Sequence, residues 1–390
     1  MAAFKTGELA KLEANLAAHV VKGQPPCLVA WLSRGDQTHV LTAGAMAIGG
    51  RPVARDSIFR IASMTKPITA VAAMMLVEDG KLRLEEPVDR LLPELANRRV
   101  LKRPDGPLDD TVPACRPITV EDVLSFRLGW GFEFDMRTPF FQAVGVLPGF
   151  GIPNPAWPGD NDAYLAALGR LPLQAQPGER WLYSLGSNVL GVLVARAEGR
   201  PLDIVLRQRI FAPLCMHDTG FFAPADKQDR LVTGYVNQNG ELAPFEPWNQ
   251  LYAKRQSFLA GDSGLLSTAD DYGAFARFML SGAAPNGRSL LKTETLRAMT
   301  TNRLTPEQIT GGESILLPGR GWGLGLGVHL TVNSWGVPGA YGWDGGFGTS
   351  WLNDPALGLS SILLTQRVFD GPEPPAVHKT FRRDVYAAVA

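Results

Sequence analysis

Phe59-Arg60-Ile61-Ala62-Ser63-Met64-Thr65-Lys66-Pro67-Ile68-Thr69-Ala70-Val71 leads from a loop into a helix. Ile68, Val71, Ala72, Met75 and Leu76 recur at helical spacing, and Gly80 is a natural C-terminal stop. Pro67 has no N–H and belongs in the first turn, which puts the helix start near Ala62 or Ser63. Ser63 then sits at the positive end of the helix dipole, beside free N–H groups able to hold an oxyanion. Lys66, three residues on, projects from the same face and is close enough to share a proton with the serine. Ser-x-x-Lys is a weak signal alone. Ser289-Leu-Leu-Lys292 repeats it, and an N-cap serine followed by a solvated lysine would read the same way.

Outward from this segment, strands lie near both ends and helices in the middle. Pro26 to Ile48 reads as a pair of strands, Cys27–Leu32 and His39–Ala45, in a hairpin around the polar turn Ser33-Arg-Gly-Asp-Gln-Thr38. Residues 322–332, 340–353 and 357–364 carry further strand patterns, and Leu265 to Leu280 reads as a helix. Glu8 to Val21 and Pro375 to Val389 are amphipathic helices at the two ends. Between Leu82 and about Gln250 the chain shows helical pieces at Thr119–Phe126, Asp160–Leu171 and Ser187–Glu198, with no convincing run of strands. This pattern predicts an α/β (α+β) sheet domain built from residues 1–82 and 255–390, with a mostly helical domain, 83–254, inserted between them.

Composition narrows the function. Hydrophobic residues are 45% and charged residues 19% of 390, as in an ordinary globular protein. Lys plus Arg and Asp plus Glu are equal at 38 each, which argues against nucleic acid or an anionic membrane as partner. Three separated cysteines, Cys27, Cys115 and Cys215, form neither a metal motif nor a disulfide framework and suit a reducing compartment. No signal-type or membrane-length apolar segment is present, so the expected location is the cytoplasm.

The segment from Phe59, followed by Leu76-Val-Glu-Asp-Gly-Lys-Leu-Arg-Leu-Glu-Glu-Pro-Val88, resembles the serine β-lactamase and penicillin-binding superfamily. It is most similar to the branch of class C β-lactamases, D-Ala-D-Ala carboxypeptidases and family VIII carboxylesterases. Further resembling blocks follow in family order: Gly178-Glu-Arg-Trp-Leu-Tyr183-Ser-Leu-Gly, Ile210-Phe-Ala-Pro-Leu, Ser263-Gly-Leu-Leu-Ser-Thr-Ala-Asp-Asp-Tyr272 and Gly342-Trp343-Asp344-Gly345-Gly346-Phe-Gly. The resemblance implies a β-lactamase/transpeptidase-like fold, an antiparallel sheet flanked by helices, with the site in the groove against the inserted domain. It implies Ser63 as nucleophile, Lys66 as its proton partner and Tyr183 as the relay to the leaving group. The oxyanion hole would pair the N–H groups of Ser63 and Gly346.

The departures bear on substrate. Leu185 stands where lactamases and peptidases of the family carry Asn, and Trp343-Asp344-Gly345 replaces Lys-Thr-Gly or His-x-Gly. A cation that grips a substrate carboxylate is therefore expected to be missing, as in family VIII esterases. Leu185, Trp343, Asp344, Gly345 and Arg127 are the expected pocket residues. Arg127 could return a cation from the other wall, and Asp344 either repels an anion or turns into the sheet to find a partner. The expected activity is a carboxylesterase acting on short- or medium-chain neutral esters, small molecules, without a cofactor or metal. The rivals are a β-lactamase or D-amino-acid peptidase, an acyltransferase, and a non-catalytic penicillin-sensing binder, which would not need Ser63, Lys66 and Tyr183 together.

Three echoes of other chemistry are set aside. Lys5-Thr6-Gly7 spells the missing third motif but precedes the nucleophile. Gly261-Asp262-Ser263-Gly264 with His19 echoes trypsin, whose many short strands are lacking. His39, His217, His329 and His378 have no metal-ligand spacing, and no G-x-S-x-G elbow is present.

Overall fold

Cys27–Arg34 (β1) is buried along nearly its whole length, because it runs through the middle of a sheet covered on both faces. Its side chains alternate: Leu28, Ala30 and Leu32 face one side, Val29 and Trp31 the other. The computed structural model describes residues 4–22, 24–132, 137–144, 147–149, 157–245 and 248–389. The remaining strands of this sheet are β2 (Gln37–Gly44), β3 (Arg320–Trp322), β4 (Gly327–His329), β5 (Tyr341–Gly345), β6 (Thr349–Asp354) and β7 (Leu359–Thr365). They lie in the order β2-β1-β7-β6-β5-β4-β3, each pair antiparallel. The N-terminal hairpin thus pairs with the last strand, Val29 opposite Leu364 and Trp31 opposite Ile362.

Two terminal helices, α1 (Thr6–Val21) and α2 (Ala376–Val389), cover one face. Leu12, Leu16, Phe381 and Val385 meet Leu28, Leu32 and Leu363 there. Each such fully buried leucine contributes roughly 2 kcal/mol of apolar transfer. The helix Ala269–Ser281 lies on the other face, where Phe275 meets Trp351 edge-on at 5.7 Å and Asp270 accepts from the Trp31 indole at 3.2 Å. It lies so near the sheet that a Cβ on Gly273 would come within 2.5 Å of the Trp31 ring.

Beyond that layer, the helix Thr65–Glu78 has twelve consecutive buried residues and packs along the helix Gly186–Glu198. A helix apolar all round belongs in the interior. The end of the nucleophile segment is therefore fixed from every side. This is a β-lactamase/transpeptidase-like fold of mixed α and β content.

Some expectations need correction. The helix placed at Leu265–Leu280 starts later, because Leu266–Ser267 pairs with Phe59–Arg60 as a two-stranded ribbon and Thr268 caps the helix that follows. The stretch 322–332 is two strands, not one: Gly323 N–H donates to the Leu326 carbonyl at 2.9 Å, closing a turn that sets Trp322 opposite Gly327. The middle of the chain also holds two short hairpins, Arg99–Leu101 with Thr111–Pro113 and Tyr235–Gln238 with Glu241–Pro244. Strands of three or four residues are too short to leave a periodic signal.

Candidate active site

Ser63 lies on a single 3-10 turn, Ala62–Met64, from which the helix Thr65–Glu78 continues. The expected helix start was close, but the serine sits just ahead of the α-helix itself. Ala62 has φ 44°, a left-handed conformation that is costly for a residue with a Cβ. Tertiary bonds hold it there. Thr349 Oγ1 donates to the Ile61 carbonyl at 3.0 Å, Tyr272 Oη donates to the Met64 carbonyl at 3.0 Å, and Ile61 N–H donates to the Leu265 carbonyl at 3.0 Å. Strand β5 presses against the same turn: a Cβ on Gly345 would lie 2.3 Å from the Ile61 carbonyl. Glycine at 345 is thus a packing requirement.

Lys66 is 1% exposed. Its Nζ donates to Ser63 Oγ at 2.9 Å and to the Asp262 backbone carbonyl at 3.0 Å, so the amine is held against the serine hydroxyl. It also stands 4.7 Å from the centre of the Tyr183 ring. Tyr183 Oη in turn accepts a hydrogen bond from Trp343 Nε1 at 2.7 Å. An indole N–H can only donate, and no acceptor for the tyrosine's own O–H lies among the described residues. Phe126, Trp181 and Trp343 surround the phenol ring at centroid distances of 5.8, 5.7 and 5.5 Å. Serine, amine and phenol side by side can pass a proton from the hydroxyl to a departing group.

Ser63, Tyr183, Trp343, Asp344 and Gly346 border one cavity of about 420 Å³. Phe132, Phe347 and Phe369 make much of its remaining wall. Gly346 follows β5, and its carbonyl accepts from Phe369 N–H at 2.8 Å; no acceptor among the described residues takes its own N–H. Of the other expected pocket residues, Leu185, Gly345 and Arg127 do not border the cavity. Leu185 is wholly buried in the main core, at the turn into the helix Gly186–Glu198. Arg127 faces away, bonded to Ser125 Oγ at 2.8 Å and paired with Glu121 at 3.1 Å.

Two residues in the site were not anticipated. Asp262, set aside with the trypsin echo, holds Lys66 through its carbonyl, and its carboxylate accepts from Ser184 at 3.2 Å and Ser263 at 2.7 Å. Arg320 borders the cavity from β3 and pairs with Asp344 at 3.1 Å. Asp344 has therefore found a partner in the sheet. Burial works against its ionised form, but Arg320, Arg382 and the Ser350 hydroxyl together hold its carboxyl below the usual range. Ser289 and Lys292, the second Ser-x-x-Lys, are exposed. No group of three His, Cys, Asp or Glu among the described residues could hold a metal ion, and none of their helices is long and apolar enough to cross a membrane.

Behind Asp344 lie two buried histidines. Burial, with Arg382 alongside, pushes His378 down to about 4, and burial with Arg320 and Arg382 pushes His329 down to about 3; Asp344 opposes both shifts. An unfolded histidine takes up its proton near pH 6.5, whereas these do not until pH is far lower. Their contribution to stability is complete above about pH 6.5 and is lost as pH falls toward 4. Each adds a slope of about 1.4 kcal/mol per pH unit in that window. Both His378 ring nitrogens are buried with no hydrogen-bond partner among the described residues, and the ring meets Phe369 edge-on at 5.2 Å. His378→Phe is expected to remove roughly half of that extra slope, read as urea midpoints between pH 6.5 and 4.5. An unchanged slope would exclude His378 as a source.

The fold and this arrangement define a β-lactamase-fold serine hydrolase. The chain belongs to the Beta-lactamase family, whose sequence model matches residues 10–386. Protein Rv1367c of Mycobacterium tuberculosis (strain ATCC 25618 / H37Rv) is 40% identical over 329 residues, 82% of this chain and 80% of that one. Esterase EstB of Burkholderia gladioli is 30% identical over 351 residues, 84% of this chain and 81% of EstB. Among solved structures, EstCE1, described as a hydrolase with promiscuous acyltransferase activity, superposes with a TM-score of 0.82. That match covers 97% of this chain and 99% of EstCE1 at 23% identity, and so bears on fold alone.

Proposed function

We propose that the protein is a carboxylesterase that cleaves short- to medium-chain neutral esters through an acyl-enzyme on Ser63. The observation that carries this reading is the Trp343–Tyr183 hydrogen bond, 2.7 Å, at the place where the family's lactamases and peptidases present a cation. Ser63 attacks the ester carbonyl as Lys66 takes its proton, and Tyr183 delivers a proton to the departing alcohol. The N–H groups of Ser63 and Gly346 hold the oxyanion, and water then releases the acid. The likeness to an esterase at 30% identity supports the same reading.

Charge around the cavity favours neutral substrates. Among the described residues, Asp262 and Asp344 border it with one guanidinium, that of Arg320, which Asp344 already pairs, and Asp370 at the rim is paired with Arg367. A carboxylate beside the scissile bond would lose its water without gaining a free cation. A neutral ester is expected to exceed its carboxylate-bearing analogue in kcat/KM by tenfold or more, about 1.4 kcal/mol, and Trp343→Lys should narrow the gap. Turnover of p-nitrophenyl butyrate, a chromogenic cephalosporin and a D-Ala-D-Ala peptide on one preparation tests the class. A preference for the anionic analogue or for either of the last two would replace the esterase reading with the lactamase or peptidase one.

A further inference from the structure

Arg320 is a buried cation on the wall of the substrate cavity that the proton chemistry does not use. Its side chain is 7% exposed, on the edge strand β3. The guanidinium lies 5.9 Å from the Trp335 ring centre and 6.0 Å from that of Trp343, with Nη1 bonded to Asp344 at 3.1 Å. Its Nε is buried with no hydrogen-bond partner among the described residues. A guanidinium has five donor hydrogens. Leaving buried donors unmatched is unfavourable, and such groups in a native protein call for an explanation. A fixed polar group with a donor to spare on the wall of a cavity is the usual arrangement for orienting a ligand.

We propose that Arg320 recognises a neutral acceptor oxygen, a ketone or hydroxyl, carried by the substrate at a distance from its scissile ester. The assignment rests on the esterase reading and names the class of ester it prefers. The distance follows from topology. Gly345 of β5 abuts the turn that carries Ser63, whereas Arg320 stands two strands further out, roughly 10 Å away at the spacing of neighbouring strands. Its side chain reaches back to Asp344, so an oxygen bound there is several bonds from the reacting carbonyl. Neutrality follows from charge. Asp344 already balances Arg320, and Asp262 borders the same space, so a second carboxylate meets repulsion where a ketone or hydroxyl does not.

The test uses two matched pairs on the full-length protein. One pair is p-nitrophenyl hexanoate and p-nitrophenyl 5-oxohexanoate, which differ in the acyl part. The other is the butyrate esters of 1-hexanol and 6-hydroxy-2-hexanone, which differ in the alcohol. The wild type is expected to prefer the ketone member of one pair by tenfold or more in kcat/KM. In Arg320→Met that ratio should fall to about one, while Arg320→Lys keeps part of it. A ratio taken within one variant cancels any general loss of active protein. Should Arg320→Met alone fail to fold with Asp344 unpaired, the double variant Arg320→Met/Asp344→Asn removes both charges and gives the same ratio. Ratios near one for both pairs in the wild type, or a ketone preference that survives in Arg320→Met, overturn the assignment. A wild type that prefers the monoanionic adipate ester to the 5-oxohexanoate overturns its neutral character. If none of the four neutral esters is cleaved, the esterase reading falls, and the role of Arg320 with it.

Discussion

Ser63→Ala is expected to abolish ester turnover, with a loss on the order of 10⁴-fold or greater, the scale seen when a covalent nucleophile is removed. The fold should survive. Ser63 Oγ is the partner of Lys66 Nζ, which keeps its second bond to the Asp262 carbonyl in the variant, and the turn is held by Thr349, Tyr272 and Leu265. The melting temperature should therefore shift by only a few degrees, about what a change of 1 kcal/mol produces. A fluorophosphonate probe should add one equivalent to the wild type, mapped by mass spectrometry to Ser63, and none to the variant. Ser289→Ala, on the exposed copy of the motif, should keep both labelling and rate. Near-normal activity in Ser63→Ala would remove the acyl-enzyme and every role derived from it.

The parts of this site that were legible in the sequence are those fixed by local geometry. Pro67, the helical spacing from Ile68 and the i+3 interval place Lys66 on Ser63 before any tertiary contact is known, and the structure puts them 2.9 Å apart. The continuous apolar run before a polar turn likewise gave β1, and the strand pattern at 357–364 gave β7. What stayed hidden depends on residues far apart in the chain. Arg320 reaches Asp344 across a strand hairpin, and Asp262 meets Lys66 from 196 residues away. Neither partner leaves a periodic trace. Leu185 and Arg127 failed for a related reason: resemblance assigns a position, but the side chain's direction follows from packing. Leu185 turns into the core and Arg127 toward Glu121. Thr305-Pro306 with Gln308 is a capping box that did mark a helix, Pro306–Leu316, and could have been read.

Lys66→Met and Tyr183→Phe are each expected to slow acylation by roughly a hundredfold or more, the usual scale for losing an acid–base group. Methionine retains most of the volume of the buried lysine, so the change tests its amine. Phenylalanine keeps the ring against Phe126 and Trp181 and removes only the oxygen that Trp343 donates to. The double variant should fall well short of the product of the two losses, because in the proposed mechanism one proton travels from Ser63 through both groups, and breaking the path twice does little more than breaking it once. Trp343→Phe offers a third point on the same path. It keeps an aromatic, though smaller, ring and takes away the donor to Tyr183, so it should lower kcat by about tenfold in the wild type and have little further effect once Tyr183 is phenylalanine. Pre-steady-state bursts with p-nitrophenyl butyrate separate acylation from deacylation in all five variants, the Trp343→Phe/Tyr183→Phe double included. Losses that simply multiply would mean that Lys66 and Tyr183 act on different steps. Trp343 would then be a packing residue whose hydrogen bond to the phenol has no part in the transfer.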